Sequence, residues 1–153
     1  MVIGCIATTR FNNETLLQNK KWRENNNWDG CIYGSPIEFV NCNFTKNKQI
    51  FVIEMNNDTN KIVGIGIITN RLDSQKRCRI YNNLNYNRYI YFGKQTINIS
   101  SLNPLQIKII EILETLLFKG HTHVKRARGI TLLPRWIAEN KVVDFYAELN
   151  DLI

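Results

Sequence analysis

Between residues 49 and 69 two β-prone runs flank an asparagine-rich turn, and this local pairing restricts the fold more than any other stretch. Gln49-Ile-Phe-Val-Ile-Glu-Met55 is apolar and β-branched, and Asn56-Asn-Asp-Thr-Asn60 is turn-forming. Lys61-Ile-Val-Gly-Ile-Gly-Ile-Ile-Thr69 then returns. Asx side chains tolerate left-handed backbone and bond their own amides, so the turn has a mechanism as well as a composition. Val63, Ile65 and Ile67 share one strand face, whereas Gly64 and Gly66 leave gaps on the other. Strand glycines mark close approach of another element, and a helix is the expected occupant. The Gly-x-Gly lacks the third glycine and following helix of a dinucleotide motif.

Around the hairpin the pattern is mixed. Residues 2–8 predict a short strand, and Asn12 or Asn13 caps a helix running to about residue 24. Further strands are predicted over residues 88–92 and around Ile97 and Ile99. The strongest helix opens at Asn103-Pro104, with asparagine at the N-cap and proline at the first helical position, and closes at Gly120. Leu105, Ile109, Ile112, Leu113 and Leu116 recur at helical spacing and are expected to face the core, with Ile110 and Leu117 widening the stripe. A last helix is expected from about residue 140, placing Val142, Tyr146, Leu149 and Ile153 together. Strands in the middle and helices at the flanks predict an α+β class. No linker or repeat divides the 153 residues, so one domain spanning 1–153 is expected.

Charge is unevenly distributed. Residues 1–70 carry seven basic and six acidic side chains, residues 71–135 twelve and three, and residues 136–153 one and four. An excess confined to one stretch suggests a surface aimed at a polyanion. Lys125, Arg126 and Arg128, beside His121 and His123 and between Gly120 and Gly129, form its densest part. Guanidinium groups fork onto phosphate oxygens, which makes this loop a candidate phosphate clamp. Arg77 and Arg79, with Arg71 and Lys76, make a second basic group leading into Tyr81, Tyr86, Tyr89 and Tyr91. Cations interleaved with aromatics suit single-stranded nucleic acid, although core packing explains Tyr89 and Tyr91 equally well.

The segment Trp28-Asp-Gly-Cys-Ile-Tyr-Gly-Ser-Pro36, the hairpin with Asn56 before its turn and Gly64/Gly66 after it, and the stretch from Arg79 to Phe92 together resemble the PUA-like superfamily. The YTH and EVE branches show a similar order of elements. The resemblance implies a small β-barrel flanked by helices, with barrel core over residues 28–100 and a helical, basic part over 101–153. It also implies binding of nucleic acid that bears a modified base in an aromatic cage. Trp28, Tyr33 and Ser35 would belong to the pocket wall, with the remaining cage aromatics open among Trp22, Tyr81, Tyr86 and Trp136. As a whole the chain also resembles uncharacterised proteins of large cytoplasmic DNA viruses, in keeping with its many Asn, Ile and Lys residues.

Catalytic signals are sparse. No paired-carboxylate or nucleophile-elbow pattern occurs, and Cys5 pairs with His121 or His123 only through contacts that spacing does not supply. His121-x-His123 has no third metal ligand nearby, and the four cysteines are widely spaced, as expected of free thiols. The expected protein is therefore a nucleic-acid-binding module, RNA before DNA, that reads a modified or flipped-out base without enzymatic activity, cofactor or metal. The alternative is a viral interaction or virion-structural protein whose basic loop meets a viral protein partner. The N-terminus has no basic leader and no run reaches the roughly 18 apolar residues of a membrane span. An intracellular, cytoplasmic protein is expected, in a viral factory or virion if viral.

Overall fold

The computed structural model describes residues 5–39, 47–72 and 78–153. The hairpin forms as the sequence predicts: β3 (Gln49–Asn56) pairs antiparallel with β4 (Lys61–Thr69), and Asn60 takes a left-handed φ of 55° in the turn. β1 (Cys5–Phe11) lies parallel to β3, from Cys5 opposite Ile50 to Phe11 opposite Asn56. Parallel neighbours need a long crossover. Here it includes α1 (Asn13–Asn25) and β2 (Cys31–Ser35). The predicted first strand runs on to Phe11, three residues past the end its apolar pattern suggested, and residues 2–4 of that prediction lie outside the described residues. Asn12 caps α1, accepting from the Thr15 amide while the Thr15 hydroxyl accepts from the Asn12 amide.

β5 (Tyr89–Gly93) pairs antiparallel with β2, and β6 (Gln95–Ile97) with β4. After α2 (Pro104–Phe118), β7 (Thr131–Leu132) pairs antiparallel with β1. α3 (Arg135–Ala138) and α4 (Phe145–Asn150) complete the chain. The main sheet has the order β6-β4-β3-β1-β7, and β2-β5 is a separate pair. The class is α+β. Among the described residues the strands do not close into a barrel: β5 bonds to β2, while the main sheet ends at three-residue β6 and two-residue β7.

Both faces of the main sheet are covered, so β3 is buried at six of its eight positions. Phe51, Ile53, Met55, Ile65 and Ile67 pack with α2 and α4, whereas Ile50, Val52 and Ile68 pack with β2, β5 and the side of α1. The gap at Gly66 is filled by a strand rather than the expected helix. A β-carbon there would collide with the Tyr33 hydroxyl and lie 2.6 Å from Cys31 Sγ, both on β2. Gly93 is likewise pressed on the Ile67 carbonyl. These two glycines let the small sheet lie directly on β4.

The buried face of α2 is rotated from the predicted stripe. Ile110, Leu113, Leu117 and Phe118 are buried, Ile109 and Leu116 half-buried, and Leu105 and Ile112 exposed. Glu114 explains the azimuth: its carboxylate accepts the Ile62 amide at 2.7 Å and lies 3.8 Å from Lys61 Nζ, pinning that side of the helix to the start of β4. Asn103 at the N-cap and Pro104 in the first turn are as predicted, and Gln106 completes a capping box with Asn103. The C-terminal helix differs. α3 and α4 are short, Val142 is 91% exposed and Ile153 is exposed, and Phe145 with Leu149 supplies the buried contact. Asn140 instead accepts the amides of Val142 and Val143, which ends any continuous helix from that point. Among the described residues, no helix is long and apolar enough to cross a membrane.

Candidate functional site

At the C-terminal end of β1 the chain turns into α1, and the loop 125–129 closes over that end. The position is a favoured one, because ligands of open sheets bind beyond the carboxyl ends of parallel strands. The loop is held by Arg10, a lone cation in an otherwise uncharged strand. Its Nη2 donates to the Gly129 carbonyl at 2.6 Å and to Thr131 Oγ1 at 3.1 Å. Its Nη1 donates to the Val124 carbonyl at 3.2 Å and to Thr8 Oγ1 at 2.9 Å. One guanidinium thus ties both ends of the loop. Burial draws its pKa down to about 10, partly offset by Tyr86, so it stays charged at neutral pH.

Other contacts fix the middle and the exit. Asn57 Nδ2 donates to the Lys125 carbonyl at 2.8 Å, and the Lys125 amide donates to His123 Nδ1 at 3.2 Å. Gly129 has a left-handed φ of 67° and abuts Ser35, where a β-carbon would collide with Oγ.

The opposite wall is built from α1 and residues 80–87. The Ile80 and Tyr81 amides both donate to Asn87 Oδ1 at 2.9 Å, and Asn87 Nδ2 donates to the Tyr81 carbonyl at 2.8 Å. The Asn82 amide donates to Gln18 on α1 at 3.1 Å. Tyr81 is buried, and its hydroxyl accepts from Asn19 at 2.9 Å. Burial raises its pKa, so the phenol is neutral. Tyr86 is half-buried, and Gly34 of β2 lets its carbonyl come close.

Between these walls lies a cleft of about 570 Å³. Lys125, Arg126 and Arg128 line one side; Glu14, Gln18, Asn82, Asn83, Tyr81 and Tyr86 line the other, with Arg10 and Gly34 contributing to the floor. The volume falls within the range of small-ligand sites. Among the described residues none of the three loop cations makes a salt bridge, the ion pairs being Lys61–Glu114 and Arg135–Glu139. Arg126 and Arg128 are exposed and Lys125 half-buried. Their charge is therefore available to an anion.

Trp28, Tyr33 and Ser35, the residues expected at a base pocket, do not line this cleft. Tyr33 is buried between the sheets, and its hydroxyl donates to Glu54 Oε2 at 2.5 Å. Burial pushes the Tyr33 pKa well up, and burial also raises that of Glu54. Burial likewise pushes the Cys31 thiol up to about 12, which makes it unreactive. Trp28 precedes the opposite end of β2 from the cleft; its Nε1 donates to the Cys31 carbonyl at 2.9 Å and its ring meets Phe92 edge-on at 5.5 Å. Ser35 is buried and its hydroxyl donates to the Ile37 carbonyl at 2.5 Å. Of the four aromatics left open in the sequence, Tyr81 and Tyr86 line the cleft, Trp22 packs 6.2 Å from Phe92, and Trp136 is exposed on α3.

Arg79 is exposed and is not part of the cleft lining, and Arg77 lies outside the described residues. His121 is exposed, and among the described residues no three His, Cys, Asp or Glu side chains converge as a metal-binding group. Sequence reading missed Arg10, Asn57, Glu14 and Gln18. Arg10 left no signal there, because it falls beyond residues 2–8, the stretch predicted as a strand. No family model, curated protein or solved structure matches the chain.

Proposed function

We propose that the cleft binds single-stranded nucleic acid, with phosphates on Lys125, Arg126 and Arg128 and one unpaired base beside Tyr86. The observation that carries this reading is the set of three cations, free of salt bridges among the described residues, on a loop pinned beside an aromatic-containing cleft. A pinned loop loses little entropy when it meets a polyanion, so its charges act at full effect. Tyr86 offers a ring for stacking, and the Asn82, Asn83 and Gln18 carboxamides offer donors and acceptors to base edges. A cleft of small-ligand volume suits a single strand or a flipped-out nucleotide. The PUA-like resemblance points to the same class of ligand, though without a closed barrel. Intracellular residence and a preference for RNA belong to the same proposal.

Fluorescence-anisotropy titrations with single-stranded RNA, single-stranded DNA and duplexes of equal length test it. Tighter binding of single strands at fixed salt is expected, with Tyr86→Ala lowering affinity by roughly five- to 100-fold. Matched strands differing by one methyl group on a base test modified-base reading. Equal affinity for single strands and duplexes, unchanged in Tyr86→Ala, would reduce the site to a nonspecific basic surface.

A further inference from the structure

The two walls of the cleft differ in chemistry. The 125–129 loop brings cations, whereas the α1 wall brings a carboxylate, Glu14, which repels phosphate. Gln18 holds that carboxylate. Its Nε2 donates to Glu14 Oε1 at 3.2 Å and its Oε1 accepts the Asn82 amide at 3.1 Å, so both ends of one carboxamide are engaged. Glu14 is exposed, and its Oε2 has neither a hydrogen bond nor a salt bridge among the described residues. Next along this wall, Asn83 Oδ1 accepts the Asn85 amide at 3.1 Å, which leaves its Nδ2 as a donor. The Tyr86 amide donates to the Asn83 carbonyl at 3.1 Å, so the wall is continuous from Glu14 to Tyr86. The N-terminus of α1 offers no seat for phosphate. The Asn13 amide donates to Asp58 Oδ2 and the Thr15 amide to Asn12 Oδ1, each at 2.8 Å.

We infer that Glu14 is a specificity-determining residue that selects guanine as the base held beside Tyr86. The inference rests on the single-strand reading proposed above. With phosphates drawn to the loop cations and repelled by Glu14, the base rather than the backbone faces the α1 wall. An ionised carboxylate is acceptor-only, and its two oxygens take two parallel bonds. Oε1 keeps a second lone pair beyond the one Gln18 uses. Guanine alone among the four standard bases carries two adjacent donors, N1–H and N2–H, on its Watson–Crick edge, followed by the O6 acceptor. The wall offers the complementary set, two carboxylate acceptors on Glu14 and an amide donor on Asn83. Adenine and cytosine set one amino group beside a bare ring nitrogen, whose lone pair a carboxylate repels. Uracil sets one N–H between two carbonyls. Reading that edge on an unstacked base is the usual mode of single-strand recognition.

Anisotropy titrations of the full chain at fixed salt test the inference, with short oligouridylates carrying one central guanosine, inosine, adenosine, cytidine or uridine. The guanosine strand should bind roughly five- to 100-fold tighter than the others, the range of a bidentate base contact. Inosine lacks only the N2 amino group and should lose most of that advantage. Glu14→Gln keeps the side chain's size but replaces one acceptor by a donor. It should bring the guanosine strand to the level of the rest without weakening the uridine-only strand. The salt slope, set by the loop cations, should not change. Circular dichroism and melting establish that the variant is folded. A glutamate that only favoured the helix N-terminus would lower the melting temperature on replacement and leave base preference alone. Equal binding of all the strands would overturn the guanine assignment and leave the single-strand reading standing. So would a guanosine preference that survives in Glu14→Gln. Binding to none of the strands would overturn the single-strand reading, and this inference with it.

Discussion

Arg10 Nη2 lies 2.6 Å from the Gly129 carbonyl, so a strand residue near the start of the chain fixes a loop 119 positions later. The bond is charge-assisted and half-buried, which makes it stronger than a neutral bond on the surface. Position, rather than charge count, is what Arg10 supplies to the cleft.

Arg10→Ala leaves the Val124 and Gly129 carbonyls without that donor. Losing hydrogen bonds to a charged group costs about 1.5–3 kcal/mol, so the melting temperature should fall. Affinity for single-stranded nucleic acid should drop as the loop loosens, while the salt slope stays close to wild type because the three loop cations remain. A slope that falls as far as in the loop triple variant would mean that Arg10 itself contacts phosphate.

Replacing Lys125, Arg126 and Arg128 together by Ala should weaken binding to all sequences and flatten the plot of log affinity against log salt by up to about three phosphate equivalents. The fold should survive, since the loop's fixing bonds run through backbone atoms that alanine keeps. Unchanged salt dependence would remove the loop from the interface.

Leu113→Ala should cost roughly 2–5 kcal/mol, because the side chain is fully buried and its removal leaves a cavity. Leu105→Ala, on the outer face, should change stability by less than about 0.5 kcal/mol. Chemical denaturation of both variants gives the order directly; the reverse order would mean a different helix azimuth.

Glu54 is held above its ordinary value of 4.5 by burial, so the folded state favours the neutral carboxyl. That contribution is fully present below pH 4.5 and is lost as pH rises through the raised folded value. Glu54→Gln should therefore flatten the decline in stability between acidic and neutral pH, read from urea midpoints across a pH series. Tyr33→Phe removes a donor to the carboxylate and should steepen that decline.

Gly66→Ala should destabilise by more than the usual surface substitution, since the new methyl meets Tyr33 and Cys31 from the facing sheet. Pairing it with Tyr33→Phe removes the colliding hydroxyl and should recover part of the loss in a double-mutant cycle. Strict additivity would show that β2 does not press on β4 at this point.

By itself the sequence determined what depends on neighbours along the chain. The 49–69 hairpin, a cap at Asn12 or Asn13, the Asn103 cap and the Pro104 helix start were all legible, because turn formation and capping are settled by side chains reaching their own backbone within a few residues. The basic character of the 125–128 loop was legible for the same reason, as composition. Only the tertiary structure decided which of two apolar faces α2 would bury, because periodicity marks a stripe as apolar without saying what opposes it; Glu114 bonding to the Ile62 amide chose between them. It likewise withdrew Tyr33 and Ser35 into the interior, since Gly66 and Gly129 admit them from other elements. Arg10, Tyr86 and Lys125 meet only after a parallel crossover and a long return have brought distant segments to one strand end. Such meetings depend on packing between faces, which no spacing along the chain encodes.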